Sequence, residues 1–207
     1  MRSKFDEQLA LLNRDLTKMG SLCEEALALA AKALANADGQ TAAKIAPIDS
    51  EIDQMERTIE SLCLKLLLQQ QPVARDLRQI SAALKMITDM ERIGDQASDI
   101  AEIIGFLNGR IGTDAQYICQ MAVAAMRMVT ESVEAYVKRD VAMAEATIQH
   151  DDVVDDLFLK VKESLIQMIS ENPKDGEYAL DLLMIAKYFE RIGDHATNIA
   201  EWVVFSV

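Results

Sequence analysis

Apolar residues along this chain recur at spacings of three and four, and they do not alternate. Breakers are scarce, with eight Gly and three Pro in 207 residues. A 3.6-residue period over long unbroken stretches predicts helices, and no strand pattern competes with it, so the expected class is all-α. Turn-forming residues gather at 36–39, 70–72, 108–114, 139–140 and 172–176. These clusters delimit predicted helices over about 5–36, 48–70, 74–107, 115–138, 141–171 and 177–206. A short helical piece is placed before Pro47, which itself suits a first helical turn.

The pattern repeats. Met90-Glu91-Arg92-Ile93-Gly94-Asp95-Gln96-Ala97-Ser98-Asp99-Ile100-Ala101-Glu102 returns as Phe189-Glu190-Arg191-Ile192-Gly193-Asp194-His195-Ala196-Thr197-Asn198-Ile199-Ala200-Glu201. Upstream, Pro72 and Pro173 occupy equivalent turns, and Asp49 and Asp53 match Asp151 and Asp155. Each half therefore reads as three helices. The expected architecture is a tandem, pseudo-twofold repeat of two three-helix bundles, 1–110 and 111–207, joined near Gly109 to Asp114.

Helical spacing then sorts the charges. Glu91, Asp95, Asp99 and Glu102 share one stripe, roughly opposite the apolar stripe of Met86, Met90, Ile93, Ala97, Ile100 and Ile104. Glu190, Asp194, Asn198 and Glu201 repeat it, with Asn198 in place of an acid. On the preceding helix Asp49, Asp53, Glu56 and Glu60 form a second acidic stripe, and Asp151 and Asp155 begin its counterpart. An antiparallel turn near residue 71 sets Asp49 and Asp53 level with Glu91 and Asp95, and a turn near 173 does the same for Asp151 and Asp155 with Glu190 and Asp194. Level does not fix helix rotation.

Two readings stand at this point. These stripes are either the polar faces of amphipathic helices or a cation site. Like charges at i and i+4 destabilise a helix by a few tenths of a kcal/mol per pair, and oxygen ligands from two helices suit a hard or borderline cation. Gly94 and Gly193 lie inside otherwise strong helices, where Gly costs about 1 kcal/mol relative to Ala. Their recurrence suggests a close approach by a neighbouring helix. The only two histidines, His150 and His195, neighbour the second acidic cluster and are candidates to join it.

Charge and composition remove other classes. A net charge of −13, from 21 Lys plus Arg against 34 Asp plus Glu, repels phosphate backbones and argues against nucleic acid. No apolar run reaches the roughly 18–20 residues of a membrane span, so direct membrane insertion is not expected. Asp6 and Glu7 fall where a signal peptide needs apolar residues, which makes the cytoplasm the default. Cys23, Cys63 and Cys119 are far apart, in apolar helical contexts, and read as reduced core residues. No Gly-rich phosphate loop, nucleophile elbow or triad is present, so an enzyme is not expected. The alternative is a metal-dependent oxidase or metal-storage bundle, although no Glu-x-x-His pair accompanies the acids.

The segments Gln70-Gln71-Pro72-Val73-Ala74-Arg75-Asp76-Leu77-Arg78, Glu91-Arg92-Ile93-Gly94-Asp95 and Glu190 to Glu201 strongly resemble the PhoU family of phosphate-signalling proteins, across essentially the whole chain. The resemblance implies a cytoplasmic homodimer of PhoU-like bundles that is not an enzyme. It implies metal binding by Asp49, Asp53, Glu91, Asp95 and Asp99 in the first unit and by Asp151, Asp155, Glu190, Asp194 and Asn198 in the second. Iron or zinc is the leading expectation, with magnesium or manganese also compatible. The implied partners are the ATPase subunit of the phosphate ABC transporter and a sensor histidine kinase. The implied role is negative regulation of phosphate uptake and of the phosphate-starvation response. The second unit departs from the first at Phe158 and Lys162, which stand where Glu56 and Glu60 stand in the first. Its site is therefore expected to be smaller, weaker or vacant.

Overall fold

In the computed structural model, which describes residues 2–69, 72–107, 109–110 and 115–207, helices account for nearly all of the chain, and no strand occurs among the described residues. The long helices are α1 (Arg2–Asn36), α3 (Ile45–Gln69), α4 (Ala74–Phe106), α5 (Gln116–Lys138), α7 (Asp151–Glu171) and α8 (Gly176–Ser206). Two short ones, α2 (Gly39–Ala42) and α6 (Val141–Gln149), precede α3 and α7. Pro47 sits in the first turn of α3, where its missing N–H costs nothing. Gln70 and Gln71 of the Pro72 turn, and the junction residues Asn108 and 111–114, lie outside the described residues.

The same turn is built twice. Ala37 after α1 and Arg139 after α5 both take left-handed backbone, with φ of 51° and 57°. The following Asp38 and Asp140 donate their N–H back to Ala33 and Ala135. Each aspartate then caps the next helix, Asp38 accepting from Gln40 N at 2.9 Å and Asp140 from Met143 N at 3.0 Å.

One prediction needs correction. The stretch expected as a single helix over 141–171 divides at His150, whose N–H reaches both Ala146 and Thr147 carbonyls while Val153 bonds back to His150. The last turn of α6 thus tightens to i→i+3 bonds without any Gly or Pro, so the hydrophobic pattern carries no trace of the break. Asp151 consequently opens α7, where the N-terminal end of the helix favours a negative charge.

Packing follows the repeat. Within each unit α1 contacts α3 and α4, and α5 contacts α7 and α8. Across units α4 lies along α8 in the most extensive contact, and α1 lies along α5. One connected apolar core results, running from Leu16, Met19 and Ile52 through Met86 to Met121, Val129 and Phe189. All six residues assigned to the apolar stripe of α4 are buried in it. Cys23 and Cys63 are buried in the core, Cys119 is half-buried, and all three thiols are free. Burial pushes the Cys23 and Cys63 thiols up to about 12, which keeps them protonated and unreactive. At the close of the second unit, Arg110 bonds Asp175 and stacks 4.2 Å from the ring centroid of Tyr178, tying the inter-unit segment to the start of α8.

Candidate metal centre

The antiparallel pairing of α3 with α4 brings the two acidic stripes of the first unit face to face. Asp49 is the innermost member. Its Oδ2 accepts a 2.8 Å hydrogen bond from Ser98 of α4, and its Oδ1 is buried with no hydrogen-bond partner among the described residues. A Cβ added to Gly94 would lie 2.7 Å from that Oδ1 and 3.0 Å from Ile52 Cδ1. Gly94 is therefore where the carboxylate of the facing helix enters; a side chain, and not a helix backbone, makes the close approach. Gly193 repeats the arrangement more loosely, with Asp151 Oδ1 at 3.1 Å.

Electrostatics report the crowding. Partial burial and then the charges of Asp95, Asp53 and Asp99 push the Asp49 carboxyl above the usual range, even though the Ser98 hydroxyl acts the other way. Glu91 is raised by burial and by Asp95, Glu56 and Asp53, with Arg92 relieving part of it. In the second unit burial, followed by Asp155, Asp194 and Glu190, pushes Asp151 up to about 6, and Asp155 and Asp194 are raised too. Arg92 stands 3.6 Å from Glu91 and 3.3 Å from Asp95, and Arg57 stands 3.7 Å from Asp53. Lys187 holds Glu190 through both oxygens at 2.6 and 2.5 Å.

Asp49, Asp53, Glu91 and Asp95 thus face one another in the first unit, as do Asp151, Asp155, Glu190 and Asp194 in the second. Asp99 and Asn198 sit to one side. Asn198 donates to Asp89 Oδ1 at 3.1 Å across the α4–α8 contact, and Asp99 takes the hydroxyl of Tyr188 across the same contact while still adding to the field at Asp49. The reason is angular. Seven residues bring a helix about 20° short of two turns and eight carry it about 80° past. Ser98, at i+7 from Glu91, therefore holds the facing position that i+8 does not and bonds Asp49, whereas the hydroxyl of its repeat counterpart Thr197 is buried without a hydrogen-bond partner among the described residues. Both hydroxyls lay within the repeated segment, and their shared place in the repeat was the signal that reading for acids alone passes over. The histidines also turn away from the acids. His195 pairs through Nδ1 with Asp89 at 2.8 Å and touches its repeat counterpart Gln96 at 3.2 Å, while His150 pairs with Glu131 of α5 at 3.0 Å.

The donors fit a hard or borderline cation, being carboxylate oxygens from two helices with one buried oxygen unpartnered and a glycine that keeps space beside it. Among the described residues no three His, Cys, Asp or Glu side chains are gathered about a single point. Ligation would therefore come with side-chain rotation on fixed helices. A separate groove of about 770 Å³ opens between α5 and α7, lined by Val123, Val153 and Leu157, and includes none of the facing acids. No helix is long and apolar enough to cross a membrane among the described residues.

Comparison with known proteins is consistent over the full length. The PhoU domain model matches residues 16–104 and again 118–203. The phosphate-specific transport system accessory protein PhoU homolog of Clostridium acetobutylicum is 36% identical over 208 residues, covering 100% of this chain and 95% of that protein. The crystal structure of PhoU from Pseudomonas aeruginosa superposes with a TM-score of 0.93 at 33% identity, covering 98% of each chain. The phosphate transport system regulatory protein PhoU of Streptococcus pneumoniae gives a TM-score of 0.88 at 26% identity, covering 98% of this chain and 96% of that one.

Proposed function

The chain belongs to the PhoU family, and on that premise we propose that it is a cytoplasmic accessory protein that regulates phosphate transport and binds metal through its facing acids. It acts through contacts with other proteins and carries out no chemistry of its own. Its partners are the ATPase subunit of the phosphate ABC transporter and a sensor histidine kinase, which it holds inactive while phosphate is plentiful. A homodimer is the working unit. Support for the regulatory role comes from relatives named as accessory and regulatory proteins of phosphate transport, similar to this chain over its whole length.

The observation that carries the metal reading is Asp49 Oδ1, a buried carboxylate oxygen without a hydrogen-bond partner, facing a second acidic helix. Asp49, Asp53, Glu91 and Asp95 would hold the ion in the first unit. Asp151, Asp155, Glu190 and Asp194 are the corresponding groups in the second. Asp99 lies near enough to contribute to the first, whereas Asn198 is engaged with Asp89. A bound ion, whether iron, zinc, manganese or magnesium, would supply positive charge and cross-link two helices. The chain's own residues position the oxygens: Ser98 orients Asp49, and Gly94 gives it room. Stiffening the α3–α4 pair in this way stabilises the surface that partners recognise.

The regulatory role is tested by deleting the gene and measuring phosphate-starvation transcripts in high phosphate. Derepression is expected, and unchanged transcripts would contradict the role. Capture of the transporter ATPase subunit and the kinase by tagged protein, compared between high and low phosphate, tests the partners directly.

A further inference from the structure

The two acid arrays come from one repeated pattern but are counter-charged differently. In the first, α3 contributes Asp49, Asp53, Glu56 and Glu60 against Glu91 and Asp95 of α4. Its bases, Arg57 and Arg92, stand at the rim, 75% and 58% exposed, and among the described residues neither pairs with Asp49, just as Lys187 does not pair with Asp151. Burial and the neighbouring Glu60 and Asp53 push even Glu56 above its usual range. The positive charge of this array is thus peripheral, on two arginines that reach Asp53, Glu91 and Asp95 from the solvent side.

The second array has its own cation. Lys187 takes the place held in the first repeat by Thr88, whose side chain is too short and carries no charge. The Lys187 ammonium bonds both oxygens of Glu190, a carboxylate only 16% exposed. Phe158 replaces Glu56, and its ring centroid lies 5.5 Å from the Lys187 ammonium and 5.9 Å from that of Lys162, which replaces Glu60. Two acids of the first array have thus become an aromatic face and a second base. An aromatic ring that attracts ammonium groups and a lysine bonded bidentately to a mostly buried glutamate form one arrangement.

We propose that Lys187 is a tethered cation that occupies the second acid array in place of a metal ion, so that the chain takes metal in its first repeat alone. The inference rests on the metal-binding reading of the first array. An ion entering the second would have to displace the ammonium from Glu190 and settle beside a like charge, with fewer carboxylates to offset it. The pseudo-twofold fold is then functionally one-sided: a metal-responsive half is fused to a half whose α8 carries its own cation beside Glu190, with the ring of Phe158 from α7 against it.

Mn²⁺ binding to the full chain at pH 7, read by electron paramagnetic resonance of the free ion, tests this. Wild-type binding is expected to vanish in Asp49→Asn/Glu91→Gln and to be unchanged in Asp151→Asn/Glu190→Gln. Lys187→Thr, which installs the residue type of the first repeat, should add Mn²⁺ sites that the wild type lacks and roughly double the Mn²⁺ bound at saturation, and Asp155→Asn should remove the added sites. Lys187→Met keeps an unbranched stem against Phe158 and should behave alike, which separates lost charge from lost packing if the threonine variant folds poorly. Wild-type protein that loses half its Mn²⁺ on Asp151→Asn/Glu190→Gln, with Lys187→Met leaving binding unchanged, would overturn the inference and leave the metal-binding reading intact. No Mn²⁺ binding by the wild type or by either Lys187 variant would overturn both.

Discussion

At the scale of single residues, the site is organised around one unusual contact, Asp49 Oδ1 against the bare Cα of Gly94. An alanine in a helix interior normally gains about 1 kcal/mol over glycine, but overpacking costs about 1–3 kcal/mol. At Gly94 the new Cβ would sit 2.7 Å from Asp49 Oδ1, and rotating Asp49 away would break its bond to Ser98. At Gly193 the nearest atom is at 3.1 Å and the next at 3.5 Å. Gly94→Ala is therefore expected to be less stable than Gly193→Ala by about 1 kcal/mol or more, measured by urea denaturation of both variants. Equal stabilities would show that the contact is not a constraint. The acids themselves were legible in the sequence, because spacing and level are properties of an ideal helix. The facing role of Ser98, and the sideways placement of Asp99 and Asn198, depend on helix rotation, which packing decides.

At the scale of elements, the helix ends were legible wherever the chain marks them with Asp, Asn, Gly or Pro, and illegible where it does not. The twin Asp-capped turns fall where the sequence placed breaks, whereas the tightening at His150 has no composition signal and arises from backbone bonds to Ala146 and Thr147. These turns support two expectations. Asp140→Ala removes the acceptor for Met143 N and should cost about 1 kcal/mol in urea denaturation. Ala37 is a non-glycine residue at φ 51°, where a Cβ costs about 1 kcal/mol, so Ala37→Gly should raise stability by up to about that amount. A loss of stability in Ala37→Gly would show that the flexibility gained by the unfolded chain outweighs the relief.

At the scale of the whole molecule, the facing acids make metal-free stability depend on pH in a defined direction. Asp49, Glu56, Glu91, Asp151, Asp155 and Asp194 are all raised by burial and neighbouring charge, Asp151 to about 6, while in the unfolded chain such groups return to about 4. Between those values the folded state binds more protons, so stability falls as pH rises through about 4 to 6 and is regained on acidification. Asp38 and Asp175, lowered by their hydrogen bonds, act in the opposite sense, but only below about pH 4. In chelator, the melting temperature should thus be higher at pH 5 than at pH 7, and Asp151→Asn should flatten the difference. Metal should raise the melting temperature more at pH 7 than at pH 5, since protons and cations compete for the same oxygens. The duplication and the all-α class were legible from the repeated Glu-Arg-Ile-Gly-Asp segment, yet the shared core and the α4–α8 contact were not, because contacts between repeats leave no spacing along the chain. The most direct test of the central claim is elemental analysis of protein purified near neutral pH without chelator, beside Asp49→Asn/Glu91→Gln prepared in parallel. Metal bound to the wild type and lost from the variant is the predicted result; no metal in the wild type, or the same content in both, would contradict it.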